Sequence, residues 1–175
     1  LEIGTLKRPV LYLDWELDAE EHARRSYKIA RGAGLIGPPK GLFYFRAERP
    51  LQELLEPLSR LIQEQSFGLV VLDSFGAACG SDPEQARHVI PLLAALRSLR
   101  TSILVLDHQA KMQEGQKYAG KTPFGSAYKF NLARSVIQSQ KVDSRPGEIS
   151  LLLRPTKYNL GSLREEIPAK ILFGE

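Results

Sequence analysis

Three short stretches hold the residues whose types and spacing can do chemistry: Leu13-Asp14-Trp15-Glu16, Leu72-Asp73-Ser74 and Leu106-Asp107-His108. Each ends an apolar run in an acid. In Phe67-Gly68-Leu69-Val70-Val71-Leu72, the four consecutive apolar residues fit a strand buried on both faces of a parallel sheet. Ligands of open α/β sheets sit beyond the carboxyl ends of the strands, so Asp73 and its counterparts would share one edge. A carboxylate there offers hard oxygen to Mg²⁺, usually through water. The plainer readings are local: Asp14 or Glu16 caps the following helix, Asp73 closes its strand, and His108 is structural.

The elements that must position these residues alternate. Pro9 to Glu16 reads as a first strand, and Ala19 to Ala33 as a helix with Ala23, Tyr27 and Ala30 inward. Asp18 is placed to cap that helix, with Glu20 and Glu21 in its first turn. Gly32, Gly34, Gly37 and Pro38-Pro39 stop it, and Leu42 to Phe45 is a second strand. Pro50 opens a helix from Leu51 to about Gln65, with Leu54, Leu55, Leu58, Leu61 and Ile62 inward. After the strand ending at Asp73, Ser81 and Glu84 have capping-box spacing for a helix to about Arg100 that Pro91 should kink or split. Ser102 to His108 reads as another buried strand, residues 109–124 as a polar, basic loop, and Ser126 to Leu132 as a short helix or turn.

From Arg134 the pattern changes to hairpins. Ser135 to Lys141, Glu148 to Arg154 and Lys170 to Phe173 read as strands, joined by turn chemistry at Ser144-Arg145-Pro146-Gly147 and Tyr158-Asn159-Leu160-Gly161. The fold class is therefore α/β, a mostly parallel sheet flanked by helices with antiparallel hairpin strands at the C-terminal end. Strand order is not readable from the sequence.

At 175 residues and 43% apolar content, the chain suits one domain, 1–175. No apolar run reaches the roughly 18 residues that a membrane span needs. One cysteine, Cys79, excludes an internal disulfide, fits a cytoplasmic setting, and reads as a small buried side chain. A net charge of +4 permits a nucleic-acid partner without demanding one.

Gly115-Gln116-Lys117-Tyr118-Ala119-Gly120-Lys121-Thr122 satisfies G-x-x-x-x-G-K-[ST] letter for letter. A phosphate-binding loop needs a buried strand running into its first Gly and a helix opening at its Lys. Here polar or small residues separate Asp107 from Gly115, and Pro123 follows Thr122, so the match reads as one of letters alone.

Set side by side, Tyr12-Leu13-Asp14-Trp15-Glu16, Val70-Val71-Leu72-Asp73-Ser74 and Val105-Leu106-Asp107-His108-Gln109-Ala110-Lys111 resemble the strand ends of RecA-type ATPase cores, most of all the RepA-like hexameric replicative helicases. Leu152 to Gly161, Gly125-Ser126-Ala127-Tyr128 and Ala133-Arg134-Ser135-Val136 are similar to later parts of that family. The likeness runs from Pro9 to Phe173, and its specificity lies in the order of the motifs. Such ATPases begin with a strand, a P-loop and a helix; the first strand here starts after eight residues, so the expectation is an N-terminally truncated domain that is inactive alone.

The resemblance implies roles. Glu16 would polarise the water attacking the γ-phosphate of ATP. Asp73, with Ser74 beside it, would bind the nucleotide through Mg²⁺ as a Walker B acid. His108 stands where the family senses the γ-phosphate. Lys111, Lys117 and Lys121 lie in what would be the loop contacting single-stranded DNA. Arg154 and Lys157 look like the finger that reaches nucleotide bound to a neighbouring subunit, which implies a homo-oligomer, a hexameric ring. The alternative is a non-catalytic RecA-like module for DNA binding or assembly; a recombinase or clock-type ATPase has the same core.

Overall fold

A computed structural model describes residues 7–108, 127–159, 161–162 and 165–174. The described residues divide into two compact units, one formed by residues 7–108 and the other by those from 127 onward.

The first unit is a four-stranded parallel sheet: β1 (Val10–Asp14), β2 (Leu42–Arg46), β3 (Leu69–Asp73) and β4 (Ser102–Leu106), in the order β2-β1-β3-β4. Crossover helices connect the strands, as parallel pairing requires. They are α1 (Ala19–Gly32), α2 (Leu51–Gln65), the short α3 (Phe75–Cys79) and α4 (Ala86–Ser98). One face of the sheet carries Leu11, Leu13, Val70 and Leu72, packed with Leu51, Leu58, Phe75 and Leu92 from α2, α3 and α4. Each such side chain contributes about 1.5–3 kcal/mol by leaving water, so this layer holds the unit together. The opposite face carries Tyr12, Tyr44 and Asp14, and α1 lies against it through His22, whose ring sits 4.7 Å from that of Tyr12 and 4.3 Å from that of Tyr44.

Asp18 caps α1 by accepting the Glu21 amide at 2.8 Å, and α2 begins and ends where the Pro50 and leucine spacing places it. Three expectations are corrected. The inward side of α1 is His22, Ser26 and Ala30, while Ala23 and Tyr27 are exposed, because the tyrosines of the sheet offer His22 a stacking site that hydropathy does not reveal. The capping box at Ser81 does not form. Asp82 instead accepts the Glu84 amide at 2.9 Å and the Gln85 side chain at 2.6 Å, so α4 starts only at Ala86 and runs unbroken through Pro91. And β4 is not buried on both faces. Among the described residues it is an edge strand, whose Ile103 and Val105 pack on the core while Leu104 and Leu106 are exposed on the α1 side.

Gly80 ends α3 in the left-handed region at φ 64°, where an added Cβ would lie 2.3 Å from Cγ of Pro50. Both the backbone and the space require glycine. Gly80→Ala should destabilise the fold by at least about 2 kcal/mol, read as a lower midpoint in urea unfolding.

The second unit holds α5 (Ala127–Leu132) and a separate antiparallel sheet of β5 (Ser135–Arg145), β6 (Glu148–Tyr158) and β7 (Ile167–Leu172), in the order β5-β6-β7. The hairpin reading is right in kind, but these strands make their own sheet and β5 and β6 run longer than the sequence suggests. Gly147, at φ 77°, makes the turn between them. Among the described residues no helix is long and apolar enough to cross a membrane.

Candidate active site at the carboxyl edge of the parallel sheet

Parallel register sets the site. Asp14 is paired with Asp73 across β1 and β3, with Arg46 beside Asp14 and Leu106 beside Asp73. Glu16 and His108 each lie two residues beyond the end of a strand, and Ser74 directly follows Asp73. The sheet thus brings together Glu16, Asp73, Ser74 and His108, all singled out from the sequence.

Their contacts are specific. The Tyr12 hydroxyl donates to Oδ2 of Asp73 at 2.6 Å. Burial, with that carboxylate as its partner, pushes the Tyr12 phenol well above its ordinary range, so it stays a donor. The Ser74 hydroxyl, 3% exposed, donates to Oε1 of Glu16 at 2.5 Å. Ser74 is therefore turned toward Glu16, and its placement as a nucleotide ligand becomes secondary to that bond. Nε2 of His108 lies 3.4 Å from the same oxygen, and both side chains are substantially exposed, so this contact adds little by itself.

The backbone before α1 is anchored at each step. The Trp15 amide donates to the Asp73 carbonyl at 2.7 Å, and its indole donates to the Arg49 carbonyl at 2.9 Å. Oδ1 of Asp14 accepts the amides of Glu16 at 2.8 Å and Leu17 at 2.9 Å. The Leu17 carbonyl accepts from Tyr44 at 2.9 Å and also from Arg46. Sequence reasoning missed Tyr12, His22, Tyr44 and Arg46. Only strand parity, which sets Tyr12 on the same face as Asp14, could have pointed to one of them.

His22 sits between the two tyrosines with a buried, unpartnered Nε2. Burial lowers its pKa, outweighing the pull of Asp14 and Asp73 toward the charged form. The fold therefore favours neutral His22. Its contribution to stability is complete above the ordinary value of 6.5 and is lost as pH falls through the lower folded value. Thermal melts of His22→Gln should show a flatter pH dependence than wild type between roughly pH 7 and pH 5.

In the second unit, Lys157 donates to the carbonyls of Phe130 at 2.8 Å and Asn131 at 2.7 Å, and so closes the C-terminal end of α5. Arg154, earlier on β6, is ion-paired with Glu166. Lys111, Lys117 and Lys121, like the letter match at 115–122, lie outside the described residues.

An edge built from carboxylates and hydroxyls suits a hard cation carried in with phosphate. Among the described residues no cluster of three or more His, Cys, Asp and Glu could hold a metal ion. Residues 2–114, which include this edge, match the family model described as the AAA domain. The chain belongs to the AAA-domain family. No curated protein matches it. The AAA-domain family is one of nucleotide-binding, P-loop ATPase-type domains, and the match covers all four strands that build the edge. The AAA-domain assignment leaves the antiparallel sheet outside its bounds.

Proposed function

We propose that the chain is part of a RecA-type, DNA-dependent ATPase, a replicative helicase of the plasmid or phage kind, that hydrolyses ATP between subunits of a hexameric ring and moves along single-stranded DNA. The observation that carries this reading is the juxtaposition at the sheet edge. Asp73 is held by Tyr12, and Glu16 projects from the neighbouring strand end with its carboxylate hydrogen-bonded to Ser74.

Asp73 would hold Mg²⁺ with the nucleotide phosphates, and the ion when bound screens charge on the transferring group. Glu16 orients the attacking water and accepts its proton, a role that leaves one carboxylate oxygen for the water while Ser74 engages the other. His108, within 3.4 Å of Glu16, couples the state of that carboxylate to the residues that follow β4. Arg154 and Lys157 act across a subunit boundary, which requires Arg154 to exchange Glu166, and Lys157 the carbonyls of α5, for phosphate. The basic residues Lys111, Lys117 and Lys121 are proposed to track the DNA backbone.

The test is ATP turnover by the protein expressed from its own start codon, with and without single-stranded DNA. Turnover stimulated by DNA supports the motor. DNA binding with no turnover would replace it with the non-catalytic module, and turnover indifferent to DNA would leave an ATPase of another kind.

A further inference from the structure

Asp14 is 0% exposed, and stability alone does not explain it. Among the described residues its Oδ2 is buried without a hydrogen-bond partner, and its register places it beside a second carboxylate, Asp73. A buried, half-satisfied charge next to a like charge is costly. The common local reason for an acid at this point, capping the next helix, does not apply, because Asp18 already caps α1. What Asp14 does hold is the main chain of the catalytic candidate. Its Oδ1 gathers the consecutive amides of Glu16 and Leu17, the geometry of an Asx turn. From the other side, Tyr44 and Arg46 fix the Leu17 carbonyl.

We infer that Asp14 is a positioning residue for Glu16: it carries no chemistry, but clamps the turn from which the Glu16 carboxylate reaches Ser74 and the sheet edge. The inference rests on the reading of Glu16 as the water-activating group. A carboxylate that must orient water within hydrogen-bond reach gains from a main chain with few alternatives, and a misplacement of about 1 Å can cost on the order of 10²-fold in rate. Ser74 secures the far end of the side chain and Asp14 the near end. The division of labour between the two acids follows: Asp14 is buried and its Oδ1 is engaged by backbone amides, while Glu16 is open to the edge.

The experiment compares Asp14→Asn and Asp14→Ala in the full-length protein, by steady-state kinetics and by amide hydrogen exchange at Glu16 and Leu17. Asn retains an Oδ1 acceptor and Ala does not. Asp14→Ala should lose about 10²-fold in kcat with the KM for ATP changed by less than about threefold, and both amides should exchange faster. Asp14→Asn should keep both amides protected and most of kcat. Equal losses in the two variants, or amides as protected in Asp14→Ala as in wild type, would overturn the inference. Should Asp14→Ala not fold, Asp14→Asn decides alone: a loss as deep as that of Glu16→Gln, with protected amides, would make Asp14 a participant in the chemistry rather than a support. Glu16→Gln separates the two claims. If it leaves turnover intact, the reading of Glu16 fails, whereas the exchange data still report whether Asp14 holds the turn.

Discussion

Glu16→Gln in the full-length protein is expected to lower ATP turnover by on the order of 10³-fold while nucleotide affinity changes by no more than a few-fold. The substitution is close to isosteric, and the amide oxygen of Gln can still accept from the Ser74 hydroxyl that now sits 2.5 Å from Oε1. What it removes is charge and basicity at a side chain exposed on the edge. The turn that carries residue 16 is tied by Asp14, Tyr44 and Arg46 through the backbone of residues 16 and 17, so none of those bonds depends on the side chain at 16. Loss of turnover with retained binding and an unchanged unfolding midpoint would assign the loss to chemistry. Turnover within about threefold of wild type would mean that the water is activated elsewhere, and the proposed catalytic role would have to be abandoned.

The same edge shows how far a sequence can be read. The three strand ends were legible because each apolar run stops in a polar group, and burial on a sheet demands such a run. Helix α2 was legible to the residue, since Pro50 and the leucine spacing both act locally. The failures share a cause. Ser102–Leu106 has as many apolar residues as β3 could offer, yet β3 has neighbours on both sides and β4 on one, and composition records an affinity for burial rather than what lies alongside. The place of His22 is invisible in the sequence, because the tyrosines that stack on it come from β1 and β2 and only the fold assembles them. The bonds that turn a set of strand ends into a site are of this kind. Tyr12 meets Asp73 across 61 positions and Ser74 meets Glu16 across 58, and no local pattern encodes either pairing.

The second large effect follows from one of those bonds. Asp73→Asn is expected to abolish turnover, by on the order of 10³-fold or more, and to remove the Mg²⁺ dependence of nucleotide binding. The folded state should tolerate the change. An Asn at 73 still offers an amide oxygen to the Tyr12 hydroxyl, and the strand register depends on the backbone, where the Asp73 carbonyl accepts the Trp15 amide. It also relieves repulsion between Asp73 and its register neighbour Asp14, so the unfolding midpoint should not fall. Tyr12→Phe provides the control. It leaves the charge of Asp73 in place but takes away the donor 2.6 Å from Oδ2, so it should shift the Mg²⁺ concentration for half-maximal turnover by severalfold with a much smaller loss of kcat. Measuring both variants against Mg²⁺ distinguishes the two roles. If Asp73→Asn kept its Mg²⁺ response, the acid would be a structural strand end, and Tyr12 a partner that merely satisfies it.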